Sequence, residues 1–168
     1  VKLYGGFAGT ETSLSQRDIA NNETILSGDL MNNDNNVVDF SESTRSDNTQ
    51  HIIQLNAHNT IIDGFTISDG HTMGASNEAG AAIFVAVTNP LGFTVNNCII
   101  KNNVADNGAF FTFSSQFAYL NGTRNVTVSN TVVENNLSRF GTINFRAANA
   151  ENTIGTLYNC LFKDNVVK

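Results

Sequence analysis

Two carboxylates and an imidazole fall within the ten residues Asp69-Gly70-His71-Thr72-Met73-Gly74-Ala75-Ser76-Asn77-Glu78. A pair of carboxylates can divide the work of general acid and general base, and a histidine beside them can carry a proton near neutral pH or ligate a metal. The counterparts of this stretch one and two repeats later, Asn103 to Asn107 and Asn136 to Phe140, are shorter and place Asp106 and Arg139 beneath it. Asp69, His71, Glu78, Asp106 and Arg139 are therefore the candidate ligand-binding set, and a β-helix polysaccharide hydrolase or lyase, or a metal site, is the chemistry they could serve. The plainer alternative is a solvated loop over an ion pair, since nothing in the sequence fixes the carboxylate spacing. Gly-x-Ser-x-Gly and His-Glu-x-x-His are both missing, and His51, His58 and His71 are the only histidines. No catalytic residue, metal ligand or cofactor is assigned on this basis.

The elements that must position this set are read from a repeat. Asn59-Thr60-Ile61-Ile62-Asp63-Gly64-Phe65-Thr66-Ile67-Ser68-Asp69-Gly70 recurs in altered form at Phe93–Asn103, Val126–Asn136 and Gly155–Asn165. With Gly64, Asn97, Asn130 and Asn159 as markers the steps are 33, 33 and 29 residues, a stacked-repeat period. Within each unit apolar and polar residues alternate, β-branched and aromatic types dominate the apolar places, and the run ends at Asn-Asn, Asp-Gly or Asp-Asn. That is strand and turn chemistry, because Asn and Gly tolerate the left-handed backbone of a tight corner. The expected fold is an all-β, right-handed parallel β-helix with about three strands per coil and long corner loops.

Composition narrows the partners. The 168 residues carry a formal charge of −6 with only nine Lys plus Arg, which argues against nucleic acid and against acidic polysaccharide. Phe outnumbers Trp twelve to none, so a sugar platform of indole rings is absent and Tyr4, Tyr119 and Tyr158 are the substitutes. No hydrophobic run reaches the length of a membrane span. A single domain over 1–168 is expected, with residues 1–23 forming a first strand and a cap and 24–168 the stacked coils, as the amino-terminal segment of a longer protein.

Gly5-Gly6-Phe7-Ala8-Gly9 reads as a turn, since it matches neither a phosphate loop nor a dinucleotide fingerprint. Thr24–Gly28 resembles Thr60–Gly64 and opens the first full repeat. The intervening Asp29–Gln50 is rich in Asn, Asp and Ser; Asn32–Asn36 offers hard oxygen ligands for calcium but lacks the spacing of an EF-hand, so a solvated loop is the better reading. The sequons at Asn22, Asn121, Asn125 and Asn136 are read as chance in so Asn-rich a chain.

Tyr4–Thr12, Gln16-Arg17-Asp18, Thr24–Asp29, Asp63–Ile67 and the later Asn turns together resemble the opening coils of bacterial right-handed parallel β-helix surface proteins. They are similar to the polymorphic outer-membrane-protein type repeats common in Bacteroidota. The resemblance implies a secreted or surface-displayed scaffold or adhesin that contacts surface proteins or glycans through its corner loops. It implies no catalytic residue.

Alternation assigns side chains to faces. Ile62, Val95, Val128 and Leu157 form one inward column, Phe65, Cys98, Thr131 and Cys160 a second, Ile67, Ile100, Val133 and Phe162 a third, and Val104, Leu137 and Val166 a fourth. Gly80–Val85, Gly108–Phe113 and Gly141–Arg146 give the remaining strand of each coil, whose inward face stays open because Phe occurs at both parities. Cys98 and Cys160, two coils apart, lie beyond disulfide reach. Thr66, Ile99, Val132 and Leu161 form an outward apolar stripe that a loop or a partner must cover, so the stripe and the open coil end are the places for self-association. Beyond it Ser68, Lys101, Glu134 and Lys163 stack, and Asp106 meets Arg139.

Overall fold

The computed structural model describes residues 1–72, 79–85, 92–113, 120–144 and 150–168. Its strands follow in chain order as β1 (Lys2–Tyr4), β2 (Ile25–Ser27) and β3 (Ile53–Leu55), then β4 (Thr60–Asp63), β5 (Thr66–Ser68), β6 (His71–Thr72) and β7 (Ile83–Val85). The next circuit is β8 (Phe93–Asn96), β9 (Ile99–Lys101), β10 (Val104–Ala105) and β11 (Phe111–Phe113). β12 (Leu120–Ser129), β13 (Val132–Glu134), β14 (Leu137–Ser138) and β15 (Ile143–Asn144) follow, and β16 (Ala150–Tyr158), β17 (Leu161–Lys163) and β18 (Val166–Val167) close the chain. Every pairing is parallel and joins strands of successive circuits, so the chain is all-β with four open parallel sheets visited in rotation. The first sheet runs β1-β4-β8-β12-β16, the second β2-β5-β9-β13-β17, the third β6-β10-β14-β18 and the fourth β3-β7-β11-β15.

Four strands per circuit, rather than three, follow from the backbone. Asn97, Asn130 and Asn159 turn the chain from the first sheet to the second with φ near 50°, and Asp69, Asn102, Asn135 and Asp164 turn it again with φ between 51° and 68°. Asn and Asp tolerate this left-handed region better than other side chains, so the second corner cuts each long run in two. The two-residue strands of the third sheet lie just beyond it, too short to show alternation. Gly80 and Gly108 make the third corner with φ of 73° and 60°, where a Cβ would drive into the carbonyls of Ile83 and Phe111.

The predicted columns are in register: Ile62 with Val95 and Val128, Ile67 with Ile100 and Val133, and Lys101 with Glu134 and Lys163. The main apolar cluster is built from the first, second and fourth sheets. Val104 and Leu137 are buried but stand apart from that cluster, which corrects the expected fourth bore column; Ala105 packs in a small separate group with Ala81 and Ala109. For the fourth sheet, register decides what alternation left open. Ile53, Ile83, Phe111 and Ile143 align, as do Leu55, Val85 and Phe113, and these residues join the main cluster, while Phe84 stacks on the His51 ring at 4.4 Å. Phe145 and Arg146 lie outside the described residues.

Immediately after the second corner, Asn103, Asn136 and Asn165 form an internal amide ladder. Asn103 Nδ2 donates to Asn136 Oδ1 at 3.1 Å and Asn136 Nδ2 donates to Asn165 Oδ1 at 2.9 Å. Each amide oxygen also accepts a backbone N–H from the preceding rung: Gly70 to Asn103, Asn103 to Asn136, Asn136 to Asn165. These groups are buried and need partners, so the ladder satisfies them from rung to rung. It also explains why the sequon at Asn136 is inaccessible, its side chain being enclosed.

Both cysteines are free, and burial pushes the Cys98 thiol up to about 11. The amino-terminal cap contains a 3₁₀ turn at Leu14–Gln16, and Arg17 fastens it by donating to Asp63 Oδ1 at 2.7 Å. Thr66 of the outward stripe is covered, its hydroxyl donating to Glu23 Oε1 at 2.7 Å; Ile99 and Val132 are half-buried and Leu161 is exposed.

Candidate functional site

The segment between β2 and β3 organises the predicted constellation. Residues 29–50 contain five acids and one cation, Arg45, which sits in a 3₁₀ turn at Ser43–Asp47. Glu42 starts that turn by accepting the Thr44 N–H at 3.2 Å, and this bond holds its carboxyl below the usual range. Asp29 folds the loop ahead of it, accepting the N–H groups of Asn33 and Asp34 at 3.2 and 3.1 Å. The turn then drives Arg45 inward.

Arg45 is almost fully buried and is held from three sides. Nη1 lies 3.0 Å from Asp34 Oδ2 and 3.9 Å from Asp69 Oδ1, and Nη2 donates to the Asn102 carbonyl at 2.6 Å. Asn48 Nδ2 donates both to Asp34 Oδ2 at 2.9 Å and to the Asp69 carbonyl at 2.7 Å. Burial raises the Asp34 carboxyl, outweighing the Asn48 hydrogen bond and the Arg45 charge that pull it down. A buried charge of this kind is tolerable only when paired and hydrogen-bonded, so the cluster fixes the segment to the second corner.

Asp69 is therefore turned toward Arg45, and His71 lies under the same segment. Its ring lines a cleft of about 330 Å³ with Phe40, Ser41, Arg45 and Gln50. Both ring nitrogens are buried, facing the Phe40 and Arg45 carbonyls without meeting full hydrogen-bond geometry. Burial lowers the His71 pKa first and the neighbouring Arg45 charge lowers it further, against the pull of the two carbonyls. Asp106 and Arg139 meet as the register required, Nη1 donating to Oδ1 at 2.7 Å, and the Arg139 guanidinium lies 4.8 Å over the Phe40 ring. One rung further, Lys168 Nζ reaches Asp39 Oδ2 at 3.2 Å.

Four of the five predicted residues thus converge on one flank, where the 29–50 segment spans successive rungs. Glu78 lies outside the described residues. Arg45, Asp34 and Asn48 are the members that sequence reasoning missed. The available signal was a lone cation among the acids of 29–50. Chemically, the carboxylates of Asp69 and Asp106 face guanidinium groups, and His71 is held toward its neutral form. The cleft also presents the Glu42 carboxylate, the His71 ring and the hydroxyl and amide functions of Ser41, Ser43, Ser46, Asn48 and Gln50. Among the described residues no group of three or more His, Cys, Asp or Glu is placed to hold a metal ion.

No protein-family model matches this chain, and comparison with curated proteins and with solved structures gives no match to either.

Proposed function

We propose that the chain is a right-handed parallel β-helix segment of an extracellular or cell-surface scaffold or adhesin, similar to bacterial surface proteins with polymorphic outer-membrane-protein type repeats. Its role is recognition: a rod that presents its flanking segments to surface molecules or glycans. The observation that carries this reading is where the candidate charges go. Arg45 with Asp34 and Asp69, and Arg139 with Asp106 and Phe40, all serve to fasten the 29–50 segment along the rod. A carboxylate already engaged by a guanidinium has its oxygens committed to that pair, which suits anchoring better than acid–base work on a glycosidic bond.

A glycan array screened beside reducing-sugar and unsaturated-product assays tests the proposal. Retention without product is expected. Release of reducing ends or of unsaturated sugars by the chain would overturn it in favour of a polysaccharide hydrolase or lyase.

A further inference from the structure

A second concavity lies on the outer face of the second sheet, beside the cap and away from the 29–50 segment. It encloses about 420 Å³, at the lower end of the range for small-ligand sites, which is roughly 300–1,000 Å³. Its apolar lining is Ile99 and Val132 with Ile19 and Ala20 of the cap, Cys98, and Phe65, which alternation assigned inward and which both packs against the main cluster and borders the groove. Ile99 and Val132 are paired neighbours on β9 and β13, so their side chains stand about 4.8 Å apart on a regular floor. Asn97 and Asn130 border it at the first corner, and Glu23 of the cap is the one charged residue among the described residues of its lining.

Among the described residues the polar groups keep capacity to spare. Asn97 donates one N–H to Asp63 Oδ1 at 3.0 Å, which leaves its other N–H and its carbonyl. Asn130 donates one N–H to Asn96 Oδ1 at 2.8 Å and accepts one bond from Asn159 at 2.6 Å, which leaves one donor and one lone pair. Glu23 Oε1 accepts the Thr66 hydroxyl, and Oε2 makes no hydrogen bond among the described residues.

From this arrangement we infer that the groove is a subsite for one hexose ring, neutral or amine-bearing, within the glycan recognition proposed above, on which the inference rests. A hexose presents a C–H face about as wide as two rungs and an edge of hydroxyls that each donate and accept. The floor matches the face, and the rim amides match the edge. A sugar acid is excluded, because its carboxylate would be desolvated beside Glu23 with no cation among the described residues of the lining. An amine on the ring gains from the same carboxylate.

The test uses the whole chain with glucose, glucosamine and galacturonate oligomers and a lysine-rich amphipathic peptide as probes, read by methyl NMR shifts and by affinity. Glucose and glucosamine oligomers should shift the Ile99 and Val132 methyls, and galacturonate should not. Ile99→Glu should weaken both by about tenfold or more, whereas Glu23→Gln should weaken glucosamine severalfold and leave glucose within about twofold. Val132→Glu repeats the first result if Ile99→Glu disturbs folding. Unmoved methyls, tighter binding of galacturonate, or shifts with the peptide alone would each overturn the subsite. Retention on a glycan array with unmoved methyls overturns the subsite and leaves the recognition role standing; failure of every glycan on the array removes that role itself.

Discussion

Val133 and Phe162 occupy the same column one rung apart, yet Val133 is fully buried and Phe162 is 41% exposed. The same step separates Val128 from Leu157, at 0% and 41%, and Leu137 from Val166, at 2% and 43%. Residue type does not explain the change, since each place is apolar in both rungs. Burial here is conferred by the rung stacked on either side, so stability is a sum of rung interiors and rung-to-rung contacts. The cap covers the first rungs, and the 29–50 segment runs across successive rungs as far as Lys168. Among the described residues β16, β17 and β18 are paired on one side only.

The largest test of this contrast compares two phenylalanines. Phe110→Ala, in a fully buried site, should cost about 3–5 kcal/mol in urea unfolding, and Phe162→Ala less than about half of that. Equal losses would break the comparison. Charge should follow the same rule. Arg45→Ala strands Asp34 in a buried site and should cost about 3–5 kcal/mol, whereas loss of the exposed Arg139 to Asp106 pair in Arg139→Ala should cost at most about 1 kcal/mol.

The amide ladder gives a finer version. Asn136→Ala leaves the Asn103 N–H and the Ile100 and Glu134 carbonyls without their side-chain partner and should cost about 1–3 kcal/mol, with the equivalent change at Asn165 costing less. Hydrogen exchange at Asn103 measures it directly. The smallest effect is that of pH. Burial holds His51 and His71 below their ordinary 6.5, joined at His71 by the Arg45 charge. The unfolded chain therefore binds protons that the folded chain refuses, so this contribution is whole above pH 6.5 and is lost as pH falls through the lowered folded values. A thermal midpoint that stays flat from pH 7 downward through that window would contradict it.

Much of this was legible in the chain. Asn97, Asn130 and Asn159 mark one corner because few other residues accept its backbone, and their spacing alone brings Asp106 to Arg139 and Glu134 to Lys163. The third sheet was not legible as a separate sheet, because two-residue strands carry no alternation. Neither was the buried Arg45 cluster. Its contacts join an irregular segment to corners 24 and 57 residues away, through Asp69 and Asn102, and no period in the sequence points to them. The outward stripe was foreseen, but its partial cover by Glu23 depends on a cap whose path has no repeat to follow.

The ladder of asparagines has a consequence for how such a stack of parallel strands can lengthen. From Phe111 to Val126 the chain spends 15 residues, and from Ile143 to Gly155 it spends 12, yet both stretches return to matching positions in the first sheet. The connection supplies slack; the rungs act as the ruler. Each amide passes its hydrogen bonds to its neighbour in one fixed direction, so a whole turn can be duplicated or removed with every remaining bond re-formed, while a one-residue slip breaks them all. Length in this molecule is quantised, in steps of one turn and about 4.8 Å, and diversity accumulates sideways in the connections.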